Sequence, residues 1–416
     1  MSALSAASPP ASGVRDVNFA DPAFLANPWD DLIRLQDEAP VFWSQNQKGW
    51  IITRHEDVKA CYADPRLTAA RVDQLFRDMP PEVAAEASAV RKYTALIVNR
   101  LDDAEHLRIR TLMMKAFDRT SVKKIEGFIG EVADMVLDQC DKQREFDFNK
   151  VVGAVLPTTI MQRLFDLPDE YRGLLFKMAS DFTSASSAAK MTPELLLQLN
   201  RSIVTLNEVF NALIAEREAK LGDDLISMLV HARDGLHRLS HDEVLAQLHG
   251  LVVAGAETTA NSLGTQLVQI VRHPELRERL RDDPDSAFNV VTELLRYPGT
   301  VKCMTRFAKE DFELRGQLIR KGDLLWIMNF AANVDARVFP EPFKMDVDRP
   351  NLRDSMAFGP GLHHCIGHFL ARTELAQFFT RCFKRFDVEV LQETFDMAPS
   401  YIFFGYRALN VRFAPR

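Results

Sequence analysis

The sequence lacks the features that mark exported and membrane proteins. It has no run of eighteen or more apolar residues, and its N-terminus has neither the positive start nor the apolar segment of a signal peptide. Its five cysteines are widely scattered and show no disulfide-framework spacing, at positions 61, 140, 303, 365 and 382. We therefore expect a cytoplasmic protein without a membrane anchor, in a compartment that keeps thiols reduced.

A surplus of positive charge is also missing. The net charge is −7, and no basic-aromatic stripe of the kind that follows a phosphate backbone occurs, which argues against nucleic acid as a partner. No Gly/Ser-rich or Pro-rich linker and no internal repeat divides the 416 residues. The start of the chain is rich in Ala, Ser and Pro, so we expect a disordered tail over residues 1–20. Residues 21–416 are expected to form a single domain, and the protein a monomer.

What the sequence does contain is strong helical periodicity. Apolar residues at helical spacing predict helices over residues 122–140, 193–220, 240–273 and 367–386. Ser240 followed by Glu243 is a capping box that opens the third of these, which is long enough to cross a whole domain. Short strand-like stretches on either side of turn residues predict hairpins over residues 41–53 and 318–327. The predicted fold class is mainly α with small β-sheets.

One cysteine stands in a loop suited to presenting a thiolate. Residues 358–367 place Cys365 among glycines directly before a helix. Glycines allow a close approach to a flat ligand, and the N–H groups at the start of the helix favour the thiolate over the thiol. Two other interpretations are a small buried apolar residue and part of a zinc site. Zinc prefers three or four ligands in paired spacing, and the chain has no Cys-x-x-Cys pair.

The spacing Phe358-x-x-Gly361-x-His363-x-Cys365-x-Gly367 resembles the haem-binding loop of the cytochrome P450 family. The resemblance extends from about residue 21 to the C-terminus, and without an N-terminal hydrophobic helix the chain is similar to the soluble bacterial type. The resemblance implies haem b as cofactor, with Cys365 as the axial iron ligand and Phe358, Gly359 and Gly367 against the haem. It also implies a fold that holds the haem between the long central helix and the helix after the cysteine loop.

Glu293 and Arg296 lie three residues apart in a helical run over residues 286–297, so the carboxylate and the guanidinium can pair on one helix face. Taken alone, such a pair is common on solvated surfaces. The resemblance implies instead a structural anchor for the segment that leads to the cysteine loop. Arg349 is expected to complete this anchor.

The segment Ala254-Gly-Ala-Glu-Thr-Thr259 interrupts the apolar pattern of the long helix. One interpretation is a helix kinked by a threonine hydroxyl that bonds to a carbonyl one turn earlier. The resemblance implies a position above the distal haem face. Glu257 and Thr258 would then be the catalytic residues that organise water and deliver protons.

Buried carboxylates need cationic partners, and the haem carries two carboxylates. His106 and Arg110 are i, i+4 neighbours at the start of a predicted helix. The resemblance implies that both bind the haem carboxylates, together with Arg306 and His363. Each of these residues, taken singly, also fits a solvated surface charge.

The resemblance maps the substrate pocket onto Ala254, Val301, Ile402 and Phe403, with the loop over residues 73–99 and the segment over residues 182–188 beside them. These regions are largely apolar, which favours a mid-sized hydrophobic substrate such as a terpenoid, steroid or macrolide-like molecule over a sugar or nucleotide. Core packing is the alternative interpretation of each residue.

The resemblance implies a haem-thiolate monooxygenase that inserts one oxygen atom of O2 into a C–H or C=C bond. A separate ferredoxin and ferredoxin reductase are expected to supply the electrons, because no flavin reductase is fused to the chain. The ferredoxin is expected to bind a positive patch, formed by Arg108, Arg110, Lys115, Arg119 and Arg372. Two alternatives stay open: a peroxide-driven or redox-neutral haem-thiolate enzyme, and a non-enzymatic haem sensor or carrier.

Overall fold

The computed structural model describes residues 14–117, 119–187 and 191–416. The helices, numbered in chain order, are α1 Pro22–Ala26, α2 Trp29–Glu38, α3 His55–Ala63, α4 Val72–Phe76, α5 Pro81–Glu86, α6 Ser88–Leu96, α7 Asp103–Phe117, α8 Arg119–Gln143, α9 Val155–Leu164, α10 Arg172–Ser187, α11 Pro193–Ala219, α12 Leu225–His231, α13 His241–Arg272, α14 Pro274–Asp282, α15 Ala287–Arg296, α16 Asn329–Asn333 and α17 His368–Arg385. The strands are β1 Val41–Ser44, β2 Gly49–Ile52, β3 Leu67–Thr68, β4 Glu145–Asp147, β5 Met304–Ala308, β6 Phe312–Leu314, β7 Gln317–Ile319, β8 Leu324–Ile327, β9 Phe386–Val390 and β10 Asn410–Pro415.

Helices α8, α11, α13 and α17 confirm the four predicted helices to within three residues at each end. The 32 residues of α13 span about 48 Å. The helix begins with the expected capping box, in which Ser240 accepts from the N–H of Glu243 and the Glu243 carboxylate accepts from the N–H of Ser240. Helices α6, α9, α10 and α17 all pack against α13, so the long helix is the axis of the largest apolar core.

The strands form three small sheets, with strand orders β1-β2-β8-β5-β3, β4-β10-β9 and β6-β7. The first sheet, packed with α3, encloses a second apolar cluster around Trp50 and Ile327. The hairpin predicted over residues 41–53 is confirmed by the antiparallel pairing of β1 with β2. The predicted fold class, mainly α with small sheets, is therefore correct.

The hairpin predicted over residues 318–327 is wrong. Strand β7 pairs with β6, and β8 instead lies between β2 and β5 in the five-stranded sheet. Arg315 and Gly316 connect β6 to β7 with φ angles of +48° and +74°. A two-residue turn with both φ angles positive matches the twist of a tight hairpin, so this turn sets the pairing.

The packed part of the chain begins before the predicted boundary at residue 21. Residues 1–13 of the predicted tail lie outside the described residues, but Val17 and Phe19 are buried in a third apolar cluster. The ring of Phe19 packs edge-on against Trp326 of β8, at 5.3 Å between centroids. Among the described residues, no helix is both long enough and apolar enough to cross a membrane.

Candidate active site

The loop before α17 holds Cys365 in a defined backbone turn. The N–H of Cys365 donates to the carbonyl of Phe358 at 2.9 Å, which closes the loop across seven residues. Gly359 and Gly361 have φ angles of +64° and +72°, a region that disfavours side chains. Cys365 is half-buried, whereas the other four cysteines are buried. Its thiol is thus the accessible one among the described cysteines.

Opposing effects act on the Cys365 sulfur. Burial raises the pKa of the thiol, while the N–H of Gly367 and the charges of Arg110 and Arg372 favour the thiolate. Gly367 is the N-cap of α17, so the sulfur lies at the start of this helix, as the loop sequence predicts. Arg372, one turn into α17, lies over the Phe358 ring at 4.5 Å from its centroid. These contacts tie the loop to the helix that follows it.

A fully buried ion triad lies behind this loop. The Arg296 guanidinium donates two hydrogen bonds to the Glu293 carboxylate, from Nη2 to Oε1 at 2.6 Å and from Nε to Oε2 at 2.7 Å. Both side chains are 0% exposed. Arg349 Nε reaches the same carboxylate at 3.2 Å. Arg349 also donates to three backbone carbonyls, those of Pro340, Glu341 and Lys344. The structure therefore brings the three anchor residues into one network.

Asn333 connects this triad to the cysteine loop, and no sequence pattern marks it for this role. Arg296 Nη1 donates to the carbonyl of Asn333 at 2.8 Å. The Asn333 side-chain oxygen accepts from the N–H of Met356 at 2.6 Å and from the hydroxyl of Ser355 at 3.3 Å. Ser355 and Met356 immediately precede the loop, so the buried charges fix the chain where the loop begins.

The structure gathers the four predicted carboxylate-binding residues at one end of α7. The rings of His106 and His363 lie 4.1 Å apart between centroids, and Arg110 Nη2 donates to the carbonyl of His364 at 2.6 Å. Burial lowers the pKa of His363 to about 3, with further contributions from Arg306 and His106. Burial also lowers the pKa of His106 and of Arg306. The buried Nδ1 of His106 has no partner among the described residues.

Glu257 and Thr258 lie near the middle of α13, and both are half-buried. The Thr258 hydroxyl donates to the carbonyl of Ala254 at 2.6 Å, one turn earlier, while the helix continues without a break. Burial raises the pKa of Glu257 to about 8, opposed by a hydrogen bond from Asn261. At neutral pH, Glu257 therefore carries a proton. Ala254 is exposed although it lies mid-helix, so this face of α13 borders open space.

The predicted pocket residues on the C-terminal side are also brought together. Val301 and Phe403 form an isolated antiparallel bridge, and the N–H of Lys302 donates to the carbonyl of Ile402 at 2.7 Å. The adjoining Thr300 meets Ser262 of α13, with 2.8 Å between the two hydroxyl oxygens. The segments around residues 301 and 403 thus lie beside α13, the helix that also carries Ala254.

The predicted positive patch is smaller than the sequence indicated. Arg108 pairs with both Glu105 and Glu243, so its charge is offset. Lys115 is exposed and lies 3.9 Å from the Asp234 carboxylate. The side chain of Arg119 lies outside the described residues. Arg110 and Arg372 remain close to Cys365 and have no ion-pair partner among the described residues.

The family is decided by comparison with known proteins. The sequence model of the family described as Cytochrome P450 matches residues 63–401. The chain belongs to the cytochrome P450 family. This confirms the family that the cysteine-loop spacing indicated, and P450 monooxygenase is its enzyme class.

Several relatives of this P450 are bacterial. It is 32% identical over 378 residues to the polyketide biosynthesis cytochrome P450 PksS of Bacillus subtilis, over 88% of this chain and 90% of the relative. Nocardicin C N-oxygenase of Nocardia uniformis subsp. tsuyamanensis is 32% identical over 379 residues, over 89% and 91% of the two chains. The solved structure of PksS from Bacillus subtilis 168 has a TM-score of 0.84 at 29% identity, covering 96% of this chain and 100% of that chain.

P450 proteins bind haem through an axial cysteine thiolate, and the residues of this P450 fit that cofactor. Cys365 offers a half-buried sulfur, and the unpartnered Nδ1 of His106 lies near the guanidinium groups of Arg110 and Arg306, which two carboxylates would satisfy. A Cβ added at Gly361 or Gly367 would meet no neighbouring atom within 4 Å, so both glycines leave room beside the sulfur. The described residues contain no cluster of three or more His, Cys, Asp or Glu side chains suited to a metal ion.

Proposed function

We propose that this P450 inserts one oxygen atom of O2 into a C–H or C=C bond of a mid-sized hydrophobic molecule. A separate ferredoxin and ferredoxin reductase would supply the electrons. The observation that carries the proposal is the half-buried sulfur of Cys365, which accepts a hydrogen bond from the N–H of Gly367 at the start of α17. We assign Cys365 as the axial iron ligand. Thiolate-bound haem supplies oxygen-activating chemistry, because the thiolate favours O–O cleavage.

The surrounding residues have separate roles in this proposal. His106, Arg110, Arg306 and His363 would bind the two haem carboxylates, with Phe358, Gly359 and Gly367 against the haem face. The triad of Glu293, Arg296 and Arg349 would hold the loop in place without touching the cofactor. Its support is the chain of hydrogen bonds through Asn333 to Met356.

Glu257 and Thr258 would deliver protons to the reaction. The half-buried Glu257 carboxyl holds a proton at neutral pH, because burial raises its pKa to about 8. The Thr258 hydroxyl now donates to the Ala254 carbonyl. It would hold a water molecule beside the Glu257 carboxyl by accepting a hydrogen bond from the water or by donating to it instead of to this carbonyl. Delivery through these two groups would keep electron use coupled to product formation.

This role of Glu257 predicts a pH-dependent coupling efficiency. Below about pH 8 the carboxyl is protonated and can donate, and above it the carboxylate cannot, so product per NADPH should fall as the pH rises through about 8. Glu257→Gln cannot titrate, so its coupling should be low and flat over the same range. Product and peroxide are measured per NADPH consumed, from pH 6 to 9. A Glu257→Gln profile that still falls near pH 8 would assign the titration to another group.

The substrate proposal rests on the residues beside α13. Val301, Ile402 and Phe403 are half-buried apolar side chains next to the exposed Ala254. Such a surface suits a hydrophobic molecule. The name of one relative, the polyketide biosynthesis cytochrome P450 PksS, is in keeping with a substrate of this kind.

The proposed ferredoxin site predicts a charge-dependent reduction rate. Lys115→Glu should slow reduction by the ferredoxin severalfold and flatten its dependence on ionic strength, because an acidic partner loses attraction. Lys321→Glu, in the exposed turn before β8, is the matched control and should leave the rate near wild type. The measurement is stopped-flow reduction across a salt series. A reduction rate of Lys115→Glu that stays near that of the wild type, like that of Lys321→Glu, would exclude docking at Lys115. Turnover with peroxide alone that equals turnover with the ferredoxin and its reductase would favour the peroxide-driven alternative.

A further inference from the structure

Two arginines of this P450, Arg71 and Arg100, have no assigned role, and no carboxylate among the described residues forms an ion pair with them. Arg100 is 4% exposed, and its buried Nη1 has no hydrogen-bond partner. Arg71 is half-buried, and its Nη1 is likewise enclosed without a partner. Neither guanidinium donates a hydrogen bond to, or forms an ion pair with, any described residue. A buried guanidinium without an anion is costly, so this pair needs an explanation.

The two arginines lie on neighbouring segments of the chain. Arg71 follows β3, and Arg100 ends the short helical turn Val98–Arg100 just before α7. Asp102 ties these two segments together, since its carboxylate accepts from the N–H of Ala69 at 3.0 Å and from the hydroxyl of Thr68. The positive charge of Arg100 lowers the pKa of Arg71, after the larger effect of burial. Burial lowers the pKa of Arg100 itself to about 10.

This pair faces the region expected to hold the substrate. Arg71 and Arg100 flank the loop over residues 73–99, and the Arg100 Cζ lies 5.6 Å from the centroid of the Phe182 ring of α10. Arg71 is also close enough to Cys303, two residues beyond Val301, for the two side chains to interact electrostatically. The loop, Phe182 and Val301 are among the parts of the chain expected to line or flank the proposed pocket, so the guanidinium groups lie at its edge.

Asp102, two residues after Arg100, interacts with another group of residues. Asp102 raises the pKa of His106, His363 and Arg306, but it has no such effect on Arg71 or Arg100. The carboxylates of haem are already met by His106, Arg110, Arg306 and His363 in the proposed function. The arginines at positions 71, 100, 110 and 306 carry four positive charges. The two haem carboxylates and Asp102 supply three negative charges, so one positive charge has no counter-ion.

We propose that Arg71 and Arg100 form an oxyanion site at the edge of the substrate pocket, and that the substrate is a hydrophobic carboxylic acid whose carboxylate binds there. Two guanidinium forks bind one carboxylate strongly and directionally. Such a contact would fix which end of a long apolar molecule points away from the haem, and so which carbon is oxidised. This inference rests on the proposed function and narrows its substrate class.

The test uses probes whose binding to iron does not depend on knowing the substrate. A series of ω-imidazolyl fatty acids and their methyl esters, with medium to long chains, is titrated into the haem-loaded protein. The imidazole binds the iron and shifts the Soret band, and the size of the shift at each probe concentration gives the Kd. The carboxylate or ester at the other end of the chain shows whether the arginines contribute to this affinity. At the matching chain length the acid should bind about tenfold or more tightly than its ester.

Arg71→Gln and Arg100→Gln should each reduce this preference for the acid, and the double variant should bring it to within about twofold, with unchanged ester affinity and haem content. Arg77→Gln is the matched control, because Arg77 lies exposed in the same loop and should keep the full preference. The inference is overturned if the acid is never preferred at any chain length, or if the preference survives in the double variant. Loss of haem from the variants would also overturn it, since the arginines would then serve the cofactor. Failure of the proposed function itself would look different, because imidazole would then produce no shift in the wild type.

Discussion

Glu293→Gln should lower the free energy of unfolding by about 3–5 kcal/mol. Glu293 and Arg296 are both 0% exposed, and the Glu293 carboxylate receives two contacts from Arg296 and one from Arg349. The amide has no charge and one acceptor oxygen, so two buried guanidinium groups would lose their anion. Denaturant unfolding of the haem-loaded protein, followed by circular dichroism, measures the loss.

Asp348→Asn is the matched control for this prediction. Asp348 pairs with Arg279 at 2.6 Å on the surface nearby, with side chains 67% and 37% exposed. Such a pair contributes about 0.2–1 kcal/mol, so its removal should cost no more. If Glu293→Gln does not accumulate as folded protein, Arg349→Lys provides a milder change, because lysine cannot reach all three carbonyls. Losses below about 1 kcal/mol in both triad variants would mean that the triad does not anchor the loop.

The triad also shows what the sequence can predict and what it cannot. The spacing of Glu293 and Arg296 predicts a pair on one helix face, and the structure shows this pair. Burial of that pair, and its extension to Met356 through Asn333, depend on contacts between residues far apart in the chain. No local pattern marks an asparagine whose side chain accepts from a backbone N–H more than twenty residues later.

The long helices were predictable because each has a periodic apolar face and α13 has a capping box. Strand pairing was harder to predict, because the local sequence of β8 is compatible with pairing to β7 as well as to the strands that it actually pairs with, β2 and β5. The tight turn at Arg315 and Gly316 directs β7 to β6, whereas the turn residues around Gly322 favour a pairing of β7 with β8. The sequence does not single out Arg71 and Arg100 for a related reason: arginines are usually exposed, and only the folded chain buries Arg100 and encloses the Nη1 of Arg71.

Cys365→Ala should abolish substrate oxidation and the red-shifted Soret band of the reduced carbonyl complex. The methyl side chain has no sulfur to bind iron, and no other described cysteine lies in this loop. Any haem that the variant retains, held by His106, Arg110, Arg306 and His363, would give a different spectrum. Haem content and turnover are measured on the same preparations.

Cys382→Ala provides the control for loss of a thiol as such. Cys382 lies in α17, the helix that begins beside Cys365, but it is buried in the apolar core. This variant should lose some stability through a small cavity and keep the wild-type spectrum and turnover. A spectral change in Cys382→Ala equal to that of Cys365→Ala would attribute both effects to the fold rather than to the iron ligand.

The proposed activity depends on one sulfur, that of Cys365, which would bind the haem iron. The most direct measurement is the absorption spectrum of the dithionite-reduced wild-type protein under carbon monoxide, compared with that of Cys365→Ala. We expect the red-shifted Soret band of thiolate ligation in the wild type and its absence from the variant. A wild-type spectrum typical of histidine ligation, or a thiolate band that survives in Cys365→Ala, would contradict the assignment.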